Sequence, residues 1–316
     1  MMRAKKKSAG WIAGAFALCL AGTPAVAQEK LTVLLDWFVN PDHAALVVAR
    51  QGGHFARAGL DVTLVEPADP SAPPRLVAAG QGDIAVSYQP NLYLQVKEGL
   101  PVRRIGGIVG TPLNSLVVLA DGPVKSLADL KGRTVGYSIA GFEEALLGTM
   151  LESAGLKLAD VKLVNINFAL TPALATGQVD AVIGAFRNFE ITDLKLAGKT
   201  GRAFFPEEHG VPAYDELIFI ARQDKAKDPR FAKFMDAVEA ASVFTLNHPE
   251  EAWKLFIAAH PKLDDALNKQ AWADTLPRLQ ASPRAIDAHR YARFADYMKA
   301  RGLIDKVEPL ARYIGE

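Results

Sequence analysis

The chain has 316 residues, with 36 basic and 35 acidic side chains, a formal net charge of +1 and a single cysteine. Its length suits one large or two medium domains with a substantial core, and its balanced charge excludes a broad basic surface for nucleic acid. A single cysteine excludes a disulfide framework and a set of cysteine metal ligands.

The N-terminus has the three parts of a secretory signal. Arg3 and three lysines precede an apolar run at residues 11–21, and Ala25-Val26-Ala27 follows as a small-x-small cleavage site. The run is too short for a good transmembrane helix, so we expect cleavage after Ala27 rather than an uncleaved membrane anchor. Cleavage removes Cys19 and four basic residues, leaving 32 basic against 35 acidic side chains. We therefore expect a soluble periplasmic protein without a thiol.

Short apolar strands alternate with helical patterns after the signal. Pro90 opens one of these helices, as proline does at a first helical position, and Gly99 closes it. The alternation is typical of an α/β fold whose mostly parallel sheet is flanked by helices. The predicted strands are 31–35, 60–65, 84–87, 102–108 and 115–119, and the predicted helices are 44–51, 75–79 and 90–98.

A second series of strands and helices begins after Asp121-Gly122-Pro123. Its predicted strands are 134–137, 161–166, 181–183 and 217–221, and its predicted helices are 143–154 and 172–176. The last third has helical spacing, with proline at or before most helix starts, and we expect no strand in it. Its predicted helices, which form a C-terminal helical coat, are 229–246, 249–259, 263–276 and 283–301.

The two series share a short pattern. Gly80-Gln81-Gly82-Asp83 and Gly177-Gln178-Val179-Asp180 each follow a short helix and precede a buried strand. Common turn chemistry explains such a pair, because glycine ends helices and aspartate favours turns. We favour duplicated topology, since the two patterns fall at equivalent points of both series.

The turn after the first strand gathers polar and aromatic side chains, at the strand end where α/β proteins bind ligands. We expect Trp37 to stack on a planar heterocycle and Phe38 to lie in the core. Asn40 offers a donor and an acceptor to a ring edge, or else forms the turn before Pro41. Asp42 and His43 contact the ligand or cap the next helix. Neither has partners at metal-ligand spacing, so a zinc site is not expected.

Further candidate ligand contacts follow other strand ends. Each has a structural alternative: a buried tyrosine, a turn, or a surface salt bridge for the glutamate. Glu143 and Glu144 begin a helix after a glycine-containing loop, and they disfavour an anion there, so the loop suits a neutral or cationic group. The remaining candidates are Tyr88, Gln89, Ser115, Tyr137, Glu190 and Tyr214.

With the paired Gly-Gln-x-Asp units, the segment Ser126-Leu127-Ala128-Asp129-Leu130-Lys131-Gly132 resembles type II periplasmic solute-binding proteins of ABC transporters. Nearly the whole chain after the signal shares the resemblance. Within that class, Asp36-Trp37-Phe38-Val39-Asn40-Pro41-Asp42-His43 is similar to the thiamine-pyrimidine branch, which includes formylaminopyrimidine-binding proteins and fungal pyrimidine-precursor synthases. Three further segments match this branch: 87–90, 187–190 and 210–217.

The resemblance implies two lobes that close on a solute, with two mostly parallel sheets flanked by helices. Residues 30–122 and 213–316 would form the first lobe, and residues 123–212 the second. The implied function is periplasmic binding of a formylaminopyrimidine-like or hydroxymethylpyrimidine-like precursor, with Asn40 and Glu190 reading the ring edge. The implied partners are the solute and a membrane permease, and we expect a monomer without nucleic acid, metal or cofactor. A different nitrogen heterocycle, a sulfonate or an amine is the alternative solute.

Two positions depart from this branch, which usually has proline and asparagine where the chain has Val39 and Asp42. An ionised aspartate only accepts hydrogen bonds, whereas asparagine also donates, so a more cationic ligand or a different ring is an alternative. The related synthases consume their own histidine and depend on a cysteine-rich motif. Since no cysteine remains after cleavage, and since no G-x-S-x-G, HExxH or P-loop occurs, we expect a binding protein and not an enzyme.

Overall fold

Two five-stranded sheets form the framework of the protein, which we describe from a computed structural model covering residue 1 and residues 27–315. The expected signal segment and its basic and apolar parts lie outside these residues. The strands are β1 (Glu29–Leu34), β2 (Leu60–Val65), β3 (Ile84–Ser87), β4 (Val102–Val109), β5 (Asn114–Leu119), β6 (Thr134–Tyr137), β7 (Lys162–Asn165), β8 (Ala181–Phe186), β9 (Gly201–Phe204) and β10 (Leu217–Arg222).

Helices cover both sheets. Asp228 shows how one begins: its side chain accepts the N–H of Arg230 at 2.9 Å, and Pro229 takes the first helical position. The helices are α1 (Ala44–Gln51), α2 (His54–Arg57), α3 (Pro73–Ala78), α4 (Gln89–Lys97), α5 (Phe142–Ser153), α6 (Leu170–Ala175), α7 (Glu190–Leu196), α8 (Pro229–Asn247), α9 (Pro249–Ala259), α10 (Ala266–Thr275), α11 (Ala288–Ala300) and α12 (Leu310–Tyr313).

The first sheet has the order β2-β1-β3-β10-β4, and the second has the order β7-β6-β8-β5-β9. In each sheet the first three strands pair in parallel, and one strand, β10 or β5, runs antiparallel to both of its neighbours. Four of the five strands in each mixed sheet therefore share a direction, and the α/β class with flanking helices is confirmed.

The Gly-Gln-x-Asp units occupy equivalent places in the two sheets. Asp83 accepts the N–H of Thr32 on β1 at 2.8 Å, and Asp180 accepts the N–H of Thr134 on β6 at 2.9 Å. Gly80 and Gly177 end the preceding helices at φ +78° and +73°, a conformation that glycine adopts without strain. In each sheet, the aspartate of the unit therefore accepts a hydrogen bond from the equivalent neighbouring strand, which supports duplicated topology.

The chain passes between the sheets twice, from β4 to β5 and from β9 to β10. Since β5 begins at Asn114, the first passage falls before residue 114, earlier than the lobe boundary expected near residue 122. The two passages are tied together: Glu216 accepts the N–H groups of Leu113 at 2.5 Å and of Asn114 at 2.9 Å. Arg187 donates to the carbonyl groups of the same two residues.

The core of the first sheet is continuous with the helical coat. Phe55 stacks on Phe234 at 5.3 Å, and Phe219 meets Phe234 edge-on at 5.2 Å, so β10, α2 and α8 share one aromatic cluster. Helices α8 and α9 pack on α1, while α10 contacts α7 beside the second sheet. The last predicted helix begins later than expected, at Ala288, because Asp287 caps it.

Candidate functional site

A cavity lies between the two sheets at the carboxyl ends of β1, β3 and β8, where parallel strands of α/β folds present their ligand sites. Its walls leave about 490 Å³ of space, part of it open to solvent. The lining residues are Asp36, Trp37, Asn40, Asp42, His43, Tyr88, Ile139, Phe142, Glu143, Leu170, Gly184, Phe186, Phe189, Glu190 and Leu217.

Asp36 organises one wall through two buried hydrogen bonds. Its Oδ1 lies 2.9 Å from His43 Nε2, and its Oδ2 accepts the hydroxyl of Tyr88 at 2.8 Å. His43 Nδ1 accepts the N–H of Asn40 at 3.4 Å, so Nε2 carries the proton donated to Asp36. Burial and the Asp36 carboxylate raise the pKa of Tyr88 well above its usual value, so its hydroxyl stays a donor. Both rings are thereby fixed with their polar atoms satisfied.

An aromatic column supports that wall. Tyr88 stacks on Phe142 with ring centres 5.0 Å apart and an interplanar angle of 15°. Phe142 in turn meets the fully buried Tyr214 edge-on at 6.5 Å. Tyr214 was expected to contact the ligand, but it lies outside the cavity lining and packs against Phe142, which is a lining residue.

The turn after β1 presents Trp37 to the cavity and leaves Phe38 outside. Trp37 is half-buried and meets Phe168 edge-on at 4.7 Å. Phe38 is 46% exposed and packs on the other side of Phe168 at 4.5 Å, so its expected place in the core is wrong. A residue that follows a strand end cannot be assigned to core or surface from its hydrophobicity alone, because the turn geometry decides its direction.

Asn40 lines the cavity, but its amide groups hold the turn. Its Oδ1 accepts the N–H of Asp42 at 2.8 Å, and its Nδ2 donates to the carbonyl of Phe38 at 3.2 Å. The side chain therefore caps the single helical turn Pro41–His43 that leads into α1. Asn40 therefore forms the turn before Pro41, which is the structural alternative to a ligand contact, although it also lines the cavity wall.

Asp42 connects three separate parts of the molecule. Its Oδ1 accepts hydrogen bonds from Asn188, which follows β8, at 2.7 Å and from Thr275 at the end of α10 at 2.9 Å. Burial raises the pKa of Asp42 to about 6, although these hydrogen bonds act in the opposite direction. This buried carboxyl group thus joins the turn after β1 to the second sheet.

Glu143 and Glu190 add two further buried carboxyl groups. Glu190 is the first residue of α7, and its Oε2 accepts the N–H of Phe186 at 2.6 Å. Glu143 accepts the N–H of Ser138 at 2.7 Å. Burial raises the pKa of each glutamate to about 8. At neutral pH both are therefore carboxylic acids, which donate one hydrogen bond and accept others.

Three other expected contacts lie outside the lining, each for a local reason. Gln89 bonds the hydroxyl of Tyr93 and the N–H of Asp215, and Ser115 donates to the carbonyl of Ala185 at 2.6 Å, which ties β5 to β8. Tyr137 follows Val135 by two positions on β6 and packs with it in the second core. Since side chains alternate along a strand, that face points away from the cavity.

Sequence reasoning missed several lining residues. Ile139, Leu170, Phe186, Phe189 and Leu217 are apolar residues near strand or helix ends, and nothing in one sequence separates them from core. Asp36 lies in the turn after the first strand. Its position directly after an apolar strand was the feature of the sequence that could have identified it as a lining residue.

The cavity is acidic in composition. Four carboxyl groups line it, with one histidine, and no lysine or arginine is among its described lining residues. Within residues 27–315 no cluster of histidine, cysteine, aspartate and glutamate is arranged to hold a metal ion. In the same range no helix has the length and hydropathy needed to cross a membrane. The site therefore suits a planar, hydrogen-bonding solute, and its described lining offers an anion no lysine or arginine.

Comparison with known proteins agrees with the architecture. The chain is 53% identical over 294 residues to a putative thiamine biosynthesis protein of Haemophilus influenzae, covering 93% of this chain and 94% of that one. It is 35% identical over 252 residues to a formylaminopyrimidine-binding protein of Halalkalibacterium halodurans, covering 79% of this chain and 76% of that one. More distant relatives are named as 4-amino-5-hydroxymethyl-2-methylpyrimidine phosphate synthases, including one from Legionella pneumophila at 28% identity over 283 residues, 88% of this chain and 89% of that one.

The fold itself matches solved solute-binding proteins. The alkanesulfonate-binding protein of Xanthomonas axonopodis superposes with a TM-score of 0.70 at 20% identity, covering 92% of this chain and 97% of that one. Such low identity establishes the fold alone, which is the periplasmic-binding-protein fold. A sequence model described as NMT1/THI5 like matches residues 40–252. The chain therefore belongs to the NMT1/THI5-like family.

Proposed function

We propose that the protein is the extracytoplasmic solute-binding subunit of an ABC importer and that it binds a thiamine-type pyrimidine precursor. The observation that carries this proposal is the lining of the cavity: aromatic rings beside buried carboxyl groups, with no described basic side chain. The relative named as a formylaminopyrimidine-binding protein supports the same choice of solute.

An aminopyrimidine matches this lining in shape and in hydrogen bonding. Its ring is flat and stacks on aromatic side chains such as Trp37 and Tyr88. Its amino group donates beside a ring nitrogen that accepts, and a protonated carboxyl group offers the complementary pair. Glu190 lines the cavity, and the N–H of Phe186 anchors its carboxyl group through Oε2, so we expect Oε1 to meet the ring edge.

The acidic lining also decides among the alternatives. A sulfonate or phosphate needs cationic or N–H donors around its oxygens, and the described lining has no lysine or arginine to supply them. The lining therefore favours an uncharged or cationic heterocycle.

The two sheets supply the two lobes of this proposal. Because the passages run from β4 to β5 and from β9 to β10, we place residues 27–112 and 213–315 in the first lobe and residues 113–212 in the second. Closure of the lobes around the solute would form the surface that a membrane permease recognises. The N-terminal signal would deliver the protein to the periplasm.

Thermal unfolding of the exported protein against a panel of solutes tests the function. The panel contains formylaminopyrimidine, 4-amino-5-hydroxymethyl-2-methylpyrimidine, thiamine, an alkanesulfonate and an amine. A bound solute at 100 times its dissociation constant adds about 2.7 kcal/mol to the free energy of unfolding. We expect this stabilisation with the aminopyrimidines and not with the sulfonate.

Stabilisation only by the sulfonate or the amine would overturn the pyrimidine proposal and keep the transport role. Release of a new pyrimidine product on incubation with iron and pyridoxal phosphate would instead favour a synthase. E190Q is the matched control, because its amide keeps a donor and an acceptor as the protonated acid does. The E190L variant keeps the approximate size of the side chain and removes both groups. It should weaken aminopyrimidine binding about tenfold, which corresponds to about 1.4 kcal/mol.

A further inference from the structure

The carboxyl group of Glu143 lies in the cavity wall, in space left by a glycine that has no side chain. It is the second residue of α5 and only 2% exposed, and its Oε2 accepts the N–H of Ser138 at 2.7 Å. Gly184 on β8 faces this carboxyl group, and a Cβ atom there would overlap Oε1 and come within 2.7 Å of Oε2. Gly184 also has φ +100°, which disfavours any other residue. The local structure thus reserves space for the Glu143 carboxyl group.

The surroundings of Glu143 keep it protonated at neutral pH. Burial raises its pKa to about 8, and the carboxyl groups of Glu144 on α5 and Glu216 before β10 act in the same direction. Tyr88, after β3, contributes a neutral phenol. The backbone N–H groups of Ser138 and Ile139 oppose the shift. Glu143 therefore offers the cavity a hydroxyl donor and a carbonyl acceptor.

Glu143 and Glu190 are fixed to neighbouring points of one strand. Glu143 lies against Gly184, and Glu190 binds the N–H of Phe186, two residues further along β8. Two residues of a strand span about 7 Å, which is comparable to the width of a substituted six-membered ring. The two acids are therefore spaced to meet two different parts of one small planar molecule.

We propose that Glu143 is a second specificity-determining residue, which reads the exocyclic substituent of the pyrimidine while Glu190 reads the amino edge. This inference rests on the proposed function and narrows its solute to an uncharged, unphosphorylated aminopyrimidine. A phosphate on the exocyclic group would lie against the buried Glu143 carboxyl group, with no described lysine or arginine in the lining to balance its charge.

Calorimetric titration of the full chain, exported and purified from the periplasm, tests this inference. The probes are 4-amino-5-hydroxymethyl-2-methylpyrimidine, its phosphate, and 4-amino-2,5-dimethylpyrimidine, which lacks the hydroxyl group. Wild-type protein should bind the alcohol at least 100-fold more tightly than the phosphate. E143L, which removes both the donor and the acceptor, should lose about tenfold in affinity for the alcohol and much less for the dimethyl compound. E143Q, whose amide keeps a donor and an acceptor, should lose little near neutral pH.

E152Q is the matched control, because Glu152 is an exposed residue of the same helix and lies outside the lining. It should leave all three affinities unchanged. The affinity of wild-type protein for the alcohol should fall as the pH rises through about 8, and in E143Q this fall should be shallower. A purely structural role would weaken the alcohol and the dimethyl compound equally.

Two outcomes separate the failures. If wild-type protein binds none of the pyrimidines, the proposed function fails. If it binds them, but E143L matches E152Q or the phosphate binds as tightly as the alcohol, the function stands and the role of Glu143 is wrong. A thermal melt of E143L without ligand verifies folding, and G184A provides a second disturbance of the same carboxyl group.

Discussion

Trp37 is the one tryptophan among the described lining residues of the cavity, and it lies in the turn that follows β1. Its contact with Phe168 fixes the ring from outside the cavity. We expect W37A to weaken binding of the pyrimidine by about 1–3 kcal/mol, the range for an aromatic residue in a binding pocket. Calorimetry measures this loss, and F38A is the control, because Phe38 touches Phe168 without lining the cavity. Equal affinities of wild-type and W37A protein would remove Trp37 from the site.

At the level of single residues, the sequence predicted residue types better than their directions. Trp37, Asn40, Asp42, His43, Tyr88 and Glu190 come together around one cavity, because each follows a strand end that its neighbouring apolar run identifies. Ser115 and Tyr137 belong to strands, where one step along the chain reverses the face. Phe38 and Gln89 depend on turn geometry and on remote partners such as Asp215, which no local pattern reveals.

At the level of elements, the loop between β7 and α6 packs against the turn after β1 beside the cavity. Phe168 lies between Trp37 and Phe38, which belong to the turn after β1 at the other sheet. Asn167 precedes it with φ +52°, a value that asparagine tolerates, and its N–H is bound by Asn165 at 2.8 Å. The loop therefore presents Phe168 in one defined position across the cleft.

Removing this ring should speed release of the solute. We expect F168A to raise the dissociation rate about tenfold, because aromatic pairs of this kind contribute about 0.5–1.5 kcal/mol each beyond their buried area. Stopped-flow competition measures the rate, and V164A on β7 controls for the loss of an exposed apolar side chain from the same region. A dissociation rate equal to that of V164A would show that Phe168 does not retain the solute.

Elements with strong local signals were predicted well, and weak ones were not. Strand β2 and helix α9 have the predicted bounds, since β-branched residues mark the first and Pro249 the start of the second. Strand β9 was missed because it is a four-residue edge strand without alternating hydrophobicity. The expected start at Pro283 was wrong because the aspartate cap at 287 determines where α11 begins.

At the level of the whole molecule, buried acids make stability depend on pH. The pKa is raised to about 8 for Glu143 and Glu190, to about 7 for Glu216 and to about 6 for Asp42. Above about pH 4 the unfolded chain releases these protons while the folded chain keeps them. The stabilisation is therefore complete below about pH 4 and is lost progressively as the pH rises to the folded-state pKa values, between about 6 and 8.

We therefore expect the free energy of unfolding of the ligand-free protein to fall between pH 5 and pH 8, by about 1.4 kcal/mol per pH unit for each carboxyl group that only the folded state keeps protonated. Urea titration at several pH values measures the slope. D42N should flatten the part below pH 6, because its amide oxygen still accepts from Asn188 and Thr275 while no proton is lost. A stability that rises over this range would contradict the protonation states assigned here.

The exchange of β5 and β10 between the sheets imposes an order of assembly during synthesis. The second sheet uses one continuous stretch, from β5 to β9, and all its strands are available once residue 204 has emerged. In the first sheet β3 and β4 are separated by β10, so they have no shared neighbour until residues 217–222 arrive. The first sheet, whose first strands are synthesised earliest, is therefore completed last. The wall that contains Tyr88, after β3, can be completed only once all strands of the second sheet have been synthesised.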